Sequence, residues 1–256
     1  MDIITILKYL KRKNVNKIST LLRFLDSFSA FSLQESWDNC GLLLGSENRE
    51  FNNIYLSLEA TKENLENMDE NSVLITHHPL IFSPLKNLNF DSYPANLLEI
   101  ALKKNISLIA IHTNFDKTHF GEFVVKEILR IPHFSQDDFI MNFAWDSSFE
   151  ALCKHCKNSF NARILKATKA KEECKNIALV TGSGASFIKN LKNIDCLITG
   201  DVKYHDAMEA LSVGISLIDC GHYELESYFG KILLPFLTNV GYKAIILPSQ
   251  NPFIFI

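Results

Sequence analysis

The sequence predicts an α/β fold of two lobes with mixed or parallel sheets, and three observations carry that prediction. Short apolar, partly β-branched runs such as Val73-Leu74-Ile75-Thr76, Ile106-Ser107-Leu108-Ile109-Ala110-Ile111 and Ile215-Ser216-Leu217-Ile218-Asp219 suit strands buried on both faces. Segments of helical periodicity alternate with such runs along most of the chain, the pattern of βαβ units. Polar segments bearing His and carboxylates follow the apolar runs, where open α/β sheets place their ligands.

Taken in order, residues 2–28 read as helical, with Ile3, Ile6, Leu7 and Leu10, then Leu21, Leu22 and Leu25, at helical spacing and a break near 14–16. The polar segment from Glu35 to Gly41 turns into a short apolar strand at Leu42-Leu43-Leu44. Strands are then expected at 53–59, 72–76 and 106–111, and helices at 62–70, 94–104 and 120–130. The proline-containing, mostly polar segment from Ile131 to Asp138 suits a linker, which sets an N-terminal lobe at 1–131 and a C-terminal lobe at 132–256. In the second lobe, strands at 139–144, 162–167, 176–180, 195–199, 215–219 and 243–248 alternate with helices at 147–157, 184–191, 203–212 and 223–239.

Composition narrows the function classes. A chain of 256 residues, 47% apolar and 21% charged, has room for an ample core and reads as ordinary globular protein. A net charge of −3, with no basic run interleaved with aromatics, argues against nucleic acid as the main partner. The apolar stretches fall short of the roughly 18 residues of a membrane span. The N-terminus, Met1-Asp2-Ile3-Ile4-Thr5, has an early acid and no signal-peptide form. A cytoplasmic protein without a membrane partner is the expectation, with Cys40, Cys153, Cys156, Cys174, Cys196 and Cys220 reduced. Cys153-Lys154-His155-Cys156 has redox or zinc spacing, but it falls on an amphipathic helix with no second pair and reads as structural.

Four segments offer metal-ligating side chains. Thr76-His77-His78-Pro79 closes a strand: successive strand residues point to opposite faces, so the two histidines can share a site only where Pro79 stops the strand. Asp116 follows the strand at 106–111 after a turn, in His112-Thr113-Asn114-Phe115-Asp116. In Gly221-His222-Tyr223-Glu224-Leu225-Glu226, His222 and Glu226 stand four apart on one helical face and can grip one ion or a bridged pair. The fourth segment is Gly200-Asp201-Val202-Lys203-Tyr204-His205. His77, His78, Asp116, His222 and Glu226 all fall at strand ends on one expected rim, a placement that scattered surface residues would not show. That rim is expected between the lobes, the first supplying His77, His78 and Asp116 and the second His222 and Glu226. The small-residue turn Thr181-Gly182-Ser183-Gly184-Ala185-Ser186 precedes a helix and admits an anion against backbone N–H groups, although tight turns also use Gly for steric reasons alone.

With these residues in view, the chain resembles the Nif-three-like family, often labelled GTP cyclohydrolase I type 2 homologues, over nearly its whole length. Trp37-Asp38-Asn39-Cys40-Gly41-Leu42, Thr76-His77-His78-Pro79-Leu80, the segment from His112 to Asp116, Thr181-Gly182-Ser183-Gly184, the segment from Gly200 to His205, and Gly221-His222-Tyr223 with Glu226 fall in the family's order. The resemblance implies two divalent ions per subunit, held by His77, His78, Asp116, His222 and Glu226, and a cytoplasmic homohexamer made of two stacked trimers. It is to the short form, without the domain inserted at mid-chain in longer relatives. Two departures stand out: Glu59 replaces the usual Asp, and Lys117-Thr118-His119-Phe120-Gly121 replaces a Gly-rich continuation.

A mixed His and carboxylate set suits Zn, Fe, Mn or Ni. The expected activity is that of a metal-dependent hydrolase using a metal-activated water on a nucleotide or other phosphorylated small molecule. Asp116 and Glu226 are candidate bridging carboxylates; His112 and His205 are candidates for orientation or proton transfer. Lys203 and the turn Gly182-Ser183-Gly184 are candidates to hold a phosphate. The alternative is a non-catalytic metal-binding regulatory or scaffold protein, which would use the same ligands.

Overall fold

The computed structural model describes residues 16–254 and 256. They form two compact units, one of residues 16–115 with Tyr228–Ser249, the other of Asp116–Ser227 with Gln250–Ile256. The part of the expected first helix over residues 2–15 lies outside the described residues.

The first unit opens with helix α1 (Ile18–Phe28), whose Ile18, Leu21, Phe24 and Leu25 recur at helical spacing and are buried. Its sheet is built from β1 (Gly41–Leu44), β2 (Ile54–Ser57), β3 (Val73–Thr76) and β4 (Ser107–Ala110), with the last strand of the chain, Ala244–Ile246, beside β2. β2, β3 and β4 are wholly buried and run parallel, as their uninterrupted apolar character requires. Helices α2 (Lys62–Asn67) and α3 (Ala95–Lys103) connect them; α2 is capped by the Thr61 side chain, which accepts from Asn64 N–H at 3.1 Å. Leu97, Leu98 and Ala101 of α3 join Tyr55, Leu74 and Leu108 in one core. Ser57 lies opposite Thr76, and Thr76 opposite Ala110, so the carboxyl ends of β2, β3 and β4 are level. Glu59, His77, His78 and His112 therefore leave the sheet along one edge.

The second unit opens with a π-helical turn over Asp116–Phe120, a helical turn over Gly121–Phe123 and a second π turn over Val124–Ile128. Its sheet has the order β5 (Phe134–Asp137), β6 (Ile140–Ser148), β8 (Glu173–Leu179), β9 (Cys196–Thr199), β10 (Ser216–Asp219) and β7 (Lys166–Thr168). β8, β9 and β10 are parallel; β6 and β7 flank them antiparallel, and β5 pairs antiparallel with β6 at the edge. Helix α4 (Phe149–Ser159) carries Cys153 and Cys156, and all six cysteines of the chain are free thiols. Ala178, Leu197 and Leu217 pack with Ile188 and with Ala210 of helix α5 (Tyr204–Ser212). Level strand ends recur here: Leu179 pairs with Ile198, and Thr199 with Asp219. The segments after them start with Val180, Gly200 and Cys220.

Three expectations need correction. The segment taken as a linker contains strand β5, which forms a hairpin with β6 through Asp138 in the left-handed region (φ 53°). Three of its four residues are exposed, as suits a polar edge strand, and so it shows no apolar alternation. The helix expected at 184–191 is a 3₁₀ segment, Ala185–Asn190. The helix expected at 223–239 is two, α6 (His222–Glu226) in the second unit and α7 (Phe229–Asn239) in the first, where it precedes the last strand, β11.

Candidate metal centre

In the first unit, three histidines meet. Each of His77, His78 and His112 offers a ligand atom within 4.8 Å of the others'. Their ring centroids lie 5.1 Å (His77 to His78), 5.0 Å (His77 to His112) and 5.6 Å (His78 to His112) apart. Each ring has its Nδ1 against an oxygen that can only accept. His77 Nδ1 faces the Ile111 carbonyl at 3.0 Å, His78 Nδ1 the Glu59 carboxylate at 3.3 Å, and His112 Nδ1 the Asp38 carboxylate at 2.9 Å. The proton of each neutral imidazole is thereby assigned to Nδ1, and Nε2 carries the lone pair. Three lone pairs presented by rings of one polarity suit a divalent metal. His77 is fully buried, its ring 5.5 Å from that of Phe229 and 6.3 Å from that of Phe115.

Asp38 holds this arrangement. One carboxylate oxygen accepts from His112 and from Asn39 N–H at 2.8 Å; the other accepts from Thr113 N–H at 3.1 Å and from the Thr113 hydroxyl. Burial alone would raise its pKa, but these bonds, that to His112 foremost, hold it well below the usual carboxylate range. Cys40 donates to Asp38 Oδ2 and to Asn114 Oδ1, both at 3.2 Å. Burial and the Asp38 charge push its thiol up to about 12, so it stays protonated beside the histidines. Asp38→Asn is expected to release the His112 tautomer and weaken metal affinity by roughly 10- to 100-fold, measured by competition with a chelator of known affinity.

In the second unit, His222 is the first residue of α6 and Glu226 the last, so the i, i+4 spacing puts both on one face. His222 Nε2 stands 2.8 Å from Glu226 Oε2, and its Nδ1 2.7 Å from Asp201 Oδ2. Asp201 adopts φ 55°, a left-handed conformation that Asp tolerates, and its carboxylate thereby reaches the ring. With Asp201 accepting the Nδ1 proton, the 2.8 Å approach of Nε2 to a buried carboxylate places two lone-pair atoms face to face. A proton or a cation must lie between them. Asp219 at the end of β10 fixes the surrounding turns, accepting from Val202 N–H and Gly221 N–H, each at 3.0 Å. The Asp116 carboxylate accepts from the Thr181 hydroxyl at 3.4 Å.

The glycines of this unit have steric work. A Cβ on Gly182 would stand 2.3 Å from Glu226 Oε1, and one on Gly200 2.7 Å from the His222 backbone nitrogen. The Gly184 N–H already donates to the Thr199 hydroxyl at 2.7 Å. Ser183 is exposed, as is Lys203 just before α5, where its backbone N–H donates to Asp206. His205 is exposed on α5 with its ring edge-on to Tyr204, and it joins none of the metal-capable groups among the described residues. His112 does join one, beside His77 and His78 and with Asp38 behind it. Asp38, Glu59 and Asp201 are the orienting groups that periodicity and spacing did not single out, although all three lie in or beside the polar segments after strands.

The Lys117–Gly121 departure is self-compensating. Lys117 Nζ lies 3.2 Å from Asp138 Oδ1 and 4.7 Å over the Phe139 ring. Burial drives His119 down to about 4, so it is neutral at pH 7. A histidine whose folded pKa lies below its unfolded value of about 6.5 stabilises the fold above that pH and loses this contribution as pH falls through the folded value. Metal-free protein is thus expected to lose stability between about pH 6.5 and 4, and His119→Gln to flatten that part of a urea-midpoint profile.

Two sheets with level strand ends and a histidine set of uniform polarity define a mixed α/β protein with a metal-capable centre. The chain belongs to the Duf34/NIF3 (NGG1p interacting factor 3) family, whose model matches residues 16–252. It is 44% identical over 238 residues to a Campylobacter jejuni protein named GTP cyclohydrolase 1 type 2 homolog, covering 93% of this chain and 98% of that one. It is likewise 44% identical over 236 residues to a Helicobacter pylori protein named GTP cyclohydrolase 1 type 2, covering 92% and 97%. Among solved structures, a Bacillus cereus protein related to NIF3 shares the fold, with TM-score 0.82 and 17% identity over 94% of this chain and all of that one.

Proposed function

We propose that this protein is a metal-dependent hydrolase in which His77, His78, Asp116, His222 and Glu226 hold two divalent ions, acting on a nucleotide or another phosphorylated small molecule. The observation that carries the reading is the shared polarity of His77, His78 and His112, with every Nδ1 held by an outer acceptor. When bound, the ions would supply a water activated near neutral pH and a charge clamp for attacking and leaving oxygens. Asp38, Glu59 and Asp201 keep the imidazoles oriented, and Asp116 and Glu226 have the two oxygens that bridging requires. The names of the Campylobacter and Helicobacter relatives support a nucleotide substrate. Nitrogen and oxygen donors suit Zn, Fe, Mn or Ni. Closed structural sites are usually rich in Cys, so a His and carboxylate set favours reactivity over a scaffold role. Lys203 and Ser183 are exposed and are proposed to meet a substrate phosphate. A cytoplasmic homohexamer belongs to the same proposal. Among the described residues no helix is long and apolar enough to cross a membrane.

The test is turnover by fully metal-loaded protein on GTP and a panel of phosphorylated compounds. Activity that disappears with chelation and returns with metal supports the reading. No turnover at full metal content overturns it in favour of a non-catalytic metal-binding protein.

A further inference from the structure

Trp37 and Phe82 are the feature that the metal chemistry does not use. Trp37 is 57% exposed and Phe82 48%, unusual for rings of this size. Their centroids lie 5.9 Å apart at 53°, so they touch and form one continuous ledge. The ledge abuts the histidine cluster: His112 lies 6.3 Å from Trp37 and 6.4 Å from Phe82, edge-on to both at 76°.

Its position is held from both sides. The residue after Trp37 is Asp38, tied to His112 and Thr113. Next, the Asn39 side-chain amide donates to the Ile81 carbonyl at 2.6 Å, which binds the Trp37 segment to the residue preceding Phe82. A loop anchored this firmly could have turned its aromatic rings inward; it holds them instead in solvent beside three imidazoles. Stacking a planar ring on one of these faces, with the tilted second ring against its edge, costs little conformational entropy because both rings are already in place. Every nucleobase or similar heterocycle has a π-face that can use such a ledge, whereas a sugar phosphate has none.

We infer that Trp37 and Phe82 form a stacking subsite that seats a flat heterocyclic ring of the substrate beside His112. This rests on the proposed reaction centre and narrows its substrates to those bearing a heteroaromatic ring, excluding simple sugar phosphates. Trp37 acts here as a specificity-determining residue, with Phe82 as the second face of the ledge.

The chain has two tryptophans, so Trp145→Phe leaves Trp37 as the sole indole reporter. Titration of that protein with guanosine, adenosine and ribose 5-phosphate reads stacking directly. Saturable quenching by both nucleosides and none by ribose 5-phosphate is expected. Phe82→Ala should weaken the nucleoside response roughly tenfold, with metal content unchanged. As a check that does not depend on Trp145→Phe folding, the nucleoside-induced quenching of the unsubstituted protein should vanish in Trp37→Leu, which keeps Trp145. Absence of saturable quenching overturns the inference, as does equal quenching by ribose 5-phosphate. So does shielding of Trp37 from iodide in the ligand-free protein, which would make the ledge a subunit contact. The two readings fail separately: nucleoside quenching without turnover leaves the subsite standing and removes the hydrolase, whereas turnover with KM unchanged in Trp37→Leu does the reverse.

Discussion

Protein purified without added metal or chelator is expected to carry about two ions per chain by elemental analysis, and to lose them in both His78→Ala and Glu226→Gln. The two substitutions remove one proposed donor from each unit. His78→Ala removes an imidazole whose Nδ1 is held by Glu59 at 3.3 Å, leaving a partly exposed carboxylate that water can satisfy. Glu226→Gln keeps the volume and hydrogen-bonding reach of a side chain that is only 3% exposed, but deletes the charge opposite His222. Far-ultraviolet circular dichroism and thermal melts of chelator-treated samples separate metal loss from unfolding. Retention of full metal in both variants would remove the basis of the hydrolase proposal.

Gly200→Ala is expected to cost about 1–3 kcal/mol in urea unfolding and to lower metal content as well. Its Cβ would meet the His222 nitrogen at 2.7 Å, the Gly182 carbonyl oxygen at 2.8 Å and the His222 Cα at 2.9 Å. All three are backbone atoms, so no side-chain rotation relieves the contact. The Gly200 N–H also donates to that same Gly182 oxygen at 2.8 Å, which means the clash would pry open the bond aligning two turns of the site. By contrast, a Cβ on Gly214 meets nothing within 4 Å. Gly214→Ala is strained by its φ of 76°, yet it should leave metal content intact and serves as the control.

Most of the sheet was legible because buried parallel strands advertise themselves. Val73–Thr76, Ser107–Ala110, Cys196–Thr199 and Ser216–Asp219 are short, apolar and bounded by polar turns, and each is a strand. β5 was not legible, since an exposed edge strand of Phe, Ser, Gln and Asp has no apolar face to alternate. Nor does periodicity say which sheet a strand joins: nothing in Ala244–Ile246 marks it as the partner of β2. The candidate ligands His77, His78, His222 and Glu226 could be named from strand ends and helical spacing, and each joins a metal-capable group. The roles of Asp38, Glu59 and Asp201 were not readable, because each acts through another side chain brought near only by folding. The sequence suggested an orienting or proton-transfer part for His112, and its ring stands beside those of His77 and His78.

The pairing of β11 with β2 bears on how the chain is made. Ala244 lies against Ile54, and α7 and β11 belong to the first unit although they are synthesised after almost all of the second. During translation, β2 waits with one edge uncovered while Asp116–Ser227 emerges as a continuous stretch able to pair its own strands. The unit begun first therefore waits for α7 and β11 until almost all of the second has been made, and its exposed edge is the place where a nascent chain would engage a chaperone or another copy of itself.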